Sequence, residues 1–231
     1  MNSISALERL ARLEQRIEQA CRAAGRARES VRLLAVSKTR SAAEIRARLV
    51  LGLDAFGENY VDEALAKQQQ LSDAAIEWHF IGPVQSNKTR ALAMHFDWVQ
   101  SVDRDKIVRR LAEQRPSERA PLNVLLQVNI DNEPQKAGCS PDRIEALAER
   151  VARRPELRLR GLMAIPDPGH DAAGLRRAFA SLKQLQQRLA ADHAGVDTLS
   201  MGMTDDLEAA IAEGSTMVRI GTALFGPRPA R

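Results

Sequence analysis

The stretch "LLAVSKTRSA", residues 33–42, runs four apolar residues suited to the inside of a sheet into a serine, a lysine and a polar turn without glycine. Both halves matter. An open doubly wound α/β sheet favours a G-x-G-x-x-G turn after its first strand, and this turn offers none. Lysine is almost never fully buried unless paired, so a strand ending at Lys38 puts a primary amine where the chain leaves the sheet. Taken alone, that amine points into water. Its surroundings depend on the rest of the chain.

Outward from this stretch the pattern repeats. Apolar runs read as strands at 31–38, 55–59, 77–82, 98–102, 123–130, 158–165, 198–203 and 218–225. Helix-like segments lie between them at 42–51, 61–71, 88–95, 104–114, 141–153, 172–191 and 205–213. Ser140 before Pro141 reads as an N-cap with proline at the first helical position. Gly52 and Gly214 fall where helices end. Ahead of the first strand, residues 3–24 read as a helix with Leu7, Leu10, Ile17, Cys21 and Ala24 on one face. Strands alternating with helices in this way describe an α/β fold, a parallel (β/α)8 TIM barrel. No Pro/Gly/Ser-rich linker divides it. The expected organisation is one domain over 1–231, with an N-terminal helical extension, 1–30, and the barrel at 31–226.

Composition narrows the function. Of 231 residues, 44% are hydrophobic and 28% charged, ordinary for a soluble globular chain. No window approaches the roughly 18 uninterrupted apolar residues of a membrane span. Glu8, Glu14 and Glu18 among the first residues fit neither a secretory signal nor a transit peptide. Cys21 and Cys139 match no metal or disulfide spacing, so a reduced, cytoplasmic setting is expected. The excess of 34 basic over 30 acidic residues is small, and its arginines mix with glutamates, as in "RRLAEQR", 109–115. With one tyrosine, two tryptophans and five phenylalanines, stacking platforms for nucleic acid are not indicated. An ion-paired helical surface is the preferred reading.

The barrel changes the meaning of Lys38, because active sites in such barrels gather at the C-terminal ends of the strands. Phosphate groups are often held there by the loops after strands seven and eight. Here those loops hold Ser200, Gly202 and Thr204, then Gly221 and Thr222. Small residues let backbone N–H groups approach an anion, hydroxyls add donors, and the next helix presents its N-terminus. One such loop reads as a tight turn; two adjacent ones favour phosphate. Arg219, between Val218 and Ile220, alternates into the barrel, where it pairs either with a carboxylate or with a polar atom of a ligand ring. An amine, a phosphate cradle and an arginine outline a ligand with an aldehyde, a phosphate and a ring. Pyridoxal 5′-phosphate, PLP, is one ligand with all three.

The segments "LLAVSKT", "FGENYVDE", "WHFIGPVQSNK", "GLMAI" and "LSMGMTDDLEAAIAEGSTMVRIGTALFG" resemble the pyridoxal phosphate homeostasis proteins. That family consists of barrels similar to the N-terminal domain of alanine racemase. The resemblance runs from Val31 to Gly226; Thr204, where the family often has serine, and Cys139 are small departures. It implies that Lys38 holds PLP as an internal aldimine, that Ser200, Gly202, Gly221 and Thr222 bind its phosphate, and that Arg219 faces the pyridine nitrogen. Asn59 and His79 are candidate wall residues. For His79, a satisfied core histidine beside Trp78 and Phe80 is an equal reading. Lys136 reads as a solvated lysine.

Two functions remain. A PLP-dependent amino-acid racemase needs an acid/base on each face of the substrate α-carbon. In the racemases the group opposite the lysine is a tyrosine from a second domain. Here the only tyrosine, Tyr60, follows strand two and reads as packing or loop anchoring. Arginine is a donor that stays protonated, so Arg219 leaves the ring nitrogen without a proton. The preferred reading is a non-catalytic, cytoplasmic, monomeric protein that stores, buffers or delivers PLP, with PLP-dependent apoenzymes as its partners and neither nucleic acid nor a membrane among them.

Overall fold

Parallel strands close on themselves in chain order in the computed structural model, which describes residues 4–133 and 135–227. The strands are β1 (Arg32–Val36), β2 (Ala55–Glu58), β3 (Glu77–Phe80), β4 (Trp98–Val102), β5 (Leu122–Val128), β6 (Leu157–Ala164), β7 (Thr198–Ser200) and β8 (Met217–Ile220). Helices α1 (Ala6–Ala23), α2 (Ala42–Leu49), α3 (Val61–Gln70), α4 (Thr89–His95), α5 (Asp105–Gln114), α6 (Ile144–Ala152), α7 (Ala172–Asp192), α8 (Leu207–Ala212) and α9 (Thr222–Phe225) complete the described elements. β8 pairs in parallel with β1, with Leu34 beside Arg219, which closes the barrel. Among the described residues no helix is long and apolar enough to cross a membrane.

Because the side-chain period of a strand is two, each strand divides its residues between two environments. Leu33 and Ala35 of β1, with Phe56, Val99, Val124 and Val218, join the large apolar cluster under the helices. The other face looks into the barrel. There Leu34, Ala55 and Met217 form one small cluster, and Trp98, Leu125 and Met163 another. On β1 this inward series is Arg32, Leu34, Val36 and, past the strand end, Lys38. The strand thus delivers its amine, half-buried, to the cavity at the barrel mouth.

Several expectations are corrected at their edges. The eighth strand stops at Ile220, and Thr222–Phe225, read as strand, is the helical turn α9. The seventh stops at Ser200. Ser140 makes no capping bond; Pro141–Arg143 form a 3-10 turn and α6 starts at Ile144. Leu7 is exposed, and the buried stripe of α1 is Leu10, Leu13, Ile17, Ala20 and Cys21. Residues 1–3 of the extension and 228–231 lie outside the described residues.

The extension is tied to the site end of the barrel. A Ser5–Glu8 capping box starts α1, which packs on α8 and α9. Arg16 donates to the Glu208 carboxylate and, at 2.9 Å, to the Thr204 carbonyl of the loop after β7.

Candidate functional site

At the C-terminal mouth of the barrel, Lys38 shares a cavity of about 330 Å³ with Val36, Asn59, Arg219, Gly221, Thr222 and the loop residues Met203, Thr204 and Asp205. Ile81 and Ile165 supply apolar walls. The strand-one amine and the strand-eight arginine therefore face the same space. So do hydroxyl-bearing loops from β7 and β8.

The amine's own segment is braced from below. Ser37 and Thr39 flank Lys38, and Thr39 sits at φ +64°, a left-handed conformation that a β-branched residue rarely adopts. The Glu63 carboxylate holds it by accepting from the Thr39 N–H at 2.5 Å. Lys67, almost fully buried, donates to Glu63 at 2.6 Å, to Glu58 at 2.7 Å and to the Ser37 carbonyl at 2.8 Å. The Ser37 hydroxyl donates to the same Glu58 oxygen at 2.5 Å. Burial pushes the Glu58 carboxyl above the usual carboxylate range, against the pull of Lys67. Sequence reasoning missed this clamp; the helical (i, i+4) pair Glu63–Lys67 was its one legible signal.

Two glycines expected at a phosphate differ in what demands them. Gly202 sits at φ +98°, and an added Cβ would lie 2.6 Å from the Ala210 Cβ of α8. The protein itself requires that glycine, and Gly202 does not line the cavity. Gly221 has φ −109°, and an added Cβ would meet only Val36, its carbonyl at 3.4 Å and its Cβ at 3.6 Å, ordinary contact distances. Neither backbone nor packing requires it, yet it lines the cavity, which points to whatever enters there. Gly202→Ala is expected to lower the melting temperature by several degrees. Gly221→Ala should leave melting nearly unchanged and weaken retention of the bound ligand, measured by equilibrium dialysis. The opposite assignment of the two phenotypes would contradict this reading.

Ser200 and His79 lie below the cavity. Arg219 donates to the Ser200 carbonyl at 2.7 Å, to its hydroxyl at 2.8 Å and to the Ala164 carbonyl at 3.0 Å. The Ser200 hydroxyl in turn donates to Gln100, so its proton is not available to an anion. The hydroxyl-bearing residue of this loop that lines the cavity is Thr204, two residues past the left-handed turn at Gly202. α8 and α9 have only six and four residues, so the hydroxyls and backbone amides, not helix dipoles, carry the argument for phosphate. Asn59 lines the cavity too, and its buried Oδ1 has no hydrogen-bond partner among the described residues. Tyr60 is exposed and lines the neighbouring hollow instead, with Lys88. Lys136 is engaged by Asp131 and Glu133.

His79 is fully buried, stacked on Trp98 with ring centroids 5.1 Å apart, and bonded through Nε2 to Glu77 and through Nδ1 to Gln100. Burial pushes its pKa below the ordinary value of 6.5, despite Glu77. The unfolded chain therefore binds this proton more readily than the folded one. Stability from His79 is full above pH 6.5 and falls as pH drops below it. Denaturant melts at pH 7 and pH 5 should show this loss, and His79→Gln should flatten it; an unchanged slope would contradict the assignment.

Comparisons with known proteins fit this geometry. The family model for the alanine racemase N-terminal domain matches residues 9–229. The pyridoxal phosphate homeostasis protein of Pseudomonas aeruginosa is 58% identical over 221 residues, covering 96% of this chain and 95% of that one. Its Escherichia coli counterpart is 48% identical and covers 99% and 98%. Among solved structures, PipY of Synechococcus elongatus with PLP bound superposes with a TM-score of 0.84 at 36% identity, covering 96% of this chain and 100% of that one. Alanine racemase of Corynebacterium glutamicum shares the fold alone, with a TM-score of 0.65 at 18% identity over 94% of this chain and 61% of its own. The chain belongs to the pyridoxal phosphate homeostasis protein family, built on the alanine racemase N-terminal barrel.

Proposed function

We propose that this barrel, residues 31–226 with 1–30 as its extension, holds pyridoxal 5′-phosphate at Lys38 and takes part in PLP homeostasis as a binding protein rather than as an enzyme. The observation that carries the reading is one cavity joining the Lys38 amine to Arg219, Gly221, Thr222 and Thr204. When bound, PLP supplies a reactive aldehyde on an electron-withdrawing ring. Lys38 is the amine that captures the aldehyde, presented by the Lys67–Glu63 clamp on its flanks. Thr204, Gly221 and Thr222 receive the phosphate. Asn59 contributes to the wall of the site.

Arg219 decides between binding and turnover. Burial pushes its guanidinium down to about 10, which still leaves it charged at neutral pH. A guanidinium only donates, so it hands no proton to a ring nitrogen beside it and does not strengthen the ring as an electron sink. Tyr60 does not line the cavity that holds Lys38. It is not placed to act as a second base.

Incubation of the PLP-loaded protein with L-amino acids in heavy water tests this reading through loss of the α-proton signal. No exchange above free PLP is expected, with or without Tyr60→Phe. Turnover on the order of 1 per second or faster would establish a racemase instead.

A further inference from the structure

A polar thread crosses the barrel interior beneath the cavity. From Arg219 it passes to the Ser200 hydroxyl at 2.8 Å, to Gln100 Oε1 at 2.7 Å, from Gln100 Nε2 to His79 Nδ1 at 2.9 Å, and from His79 Nε2 to Glu77 at 2.6 Å. Arg32 closes it, donating to the same Glu77 oxygen at 2.6 Å. Ser200, Gln100 and His79 are fully buried. The thread joins strands β8, β7, β4, β3 and β1, so no short sequence spacing encodes it.

Its two ends allow only one direction. Arginine donates and never accepts, so the Ser200 oxygen accepts and its one proton goes on to Gln100. That puts the Gln100 oxygen towards Ser200 and its amide N–H towards His79. At the far end, burial opposes ionisation of Glu77, but the bond from His79 and the charge of Arg32 hold its carboxyl below the usual carboxylate range. An ionised carboxylate only accepts, so His79 donates from Nε2 and accepts at Nδ1. The two assignments meet at Gln100 and agree. A rotated Gln100 amide would place two acceptors at His79 and two donors at Ser200 in a dry interior, which is costly.

We propose that Gln100 and His79 are positioning residues that lock the guanidinium of Arg219 in the orientation that faces the bound ligand. Three of its hydrogen bonds are fixed on the barrel side, to Ser200 and Ala164, and Arg219 lines the cavity. Gln100 keeps the Ser200 hydroxyl turned to accept from Arg219, and His79 keeps the Gln100 amide from rotating. This rests on the reading that the Lys38 cavity takes PLP.

A double-mutant cycle on the full chain tests it. Gln100→Met, similar in length and beside the Met217 thioether, is titrated with PLP in the parent and in an Arg219→Lys background. Ser200→Ala, which cuts the same thread one atom nearer to Arg219, is the second variant should Gln100→Met fail to fold. In the parent background each is expected to weaken PLP binding by about tenfold or more and to shift the long-wavelength absorbance of the bound cofactor. In the Arg219→Lys background the same change should cost less than about twofold, because the group it positions is gone. Unchanged affinity and absorbance in the parent background would overturn the proposal. So would an equal loss in both backgrounds, since a merely loosened barrel produces that result. A parent protein that takes up no PLP would overturn the cofactor reading itself, and the proposal with it.

Discussion

Lys67→Met is expected to destabilise the protein by about 3–5 kcal/mol, the usual cost of removing one partner from a buried ion pair. Lys67 donates to three acceptors at 2.6–2.8 Å, and Glu58 beside it is completely buried. Without the ammonium, Glu58 must take up a proton or stay charged in the interior, and its Oε2 already has no partner among the described residues. Glu58→Gln in the Lys67→Met background should recover much of the loss, because a neutral amide still accepts from the Ser37 hydroxyl. A second consequence follows at the site. With Lys67 gone, Glu63 and the Ser37 carbonyl lose their common donor, and the strained Thr39 is held less firmly. Cofactor capture by Lys38 should slow even at temperatures where the variant remains folded. Chemical denaturation gives the stability and stopped-flow absorbance gives the capture rate. A loss of stability below about 0.5 kcal/mol would mean that the clamp is not the buried pair described here.

The strand count was legible because parallel strands are covered on both faces and read as short continuous apolar runs. "LLAV", "AFG" and "MVRI" stand out for that reason. Strand ends were less legible. β7 and β8 stop where Gly202 turns left-handed and where α9 begins, and apolar residues such as Leu224 and Phe225 continue the run although they are helical. Lys38, Arg219, Gly221 and Thr222 could be placed at one mouth because barrel topology fixes which strand ends meet. Alternation alone could not show that the Ser200 hydroxyl turns onto Gln100 while Thr204 lines the cavity, since the backbone turns left-handed at Gly202 between them. The clamp and the thread were hidden for a related reason. Gln100 and His79 meet only through sheet register, and Glu58, Ser37 and Lys67 only where α3 packs back on β2 and the end of β1. Gln100 left a faint trace, a polar residue in the middle of the otherwise buried strand "WVQSV", residues 98–102.

The central claim is that Lys38, among the lysines of this chain, is the one that holds PLP. It lies two residues past the end of β1, its flanks are pinned by Glu63 and Lys67, and it shares its cavity with Arg219 and the two loops proposed for phosphate. Lys67, Lys88 and Lys136 do not line that cavity; Lys67 is buried and Lys88 lines the neighbouring hollow. Lys38→Ala should therefore keep the fold, by circular dichroism, while losing the borohydride-fixable absorbance of the loaded protein. The most direct measurement is borohydride reduction of the PLP-loaded wild-type protein followed by peptide mass mapping. The pyridoxyl adduct is predicted on the peptide that contains Lys38, at close to one per chain. An adduct found chiefly on Lys136 or Lys88, or none on a protein that has taken up cofactor, would contradict the account.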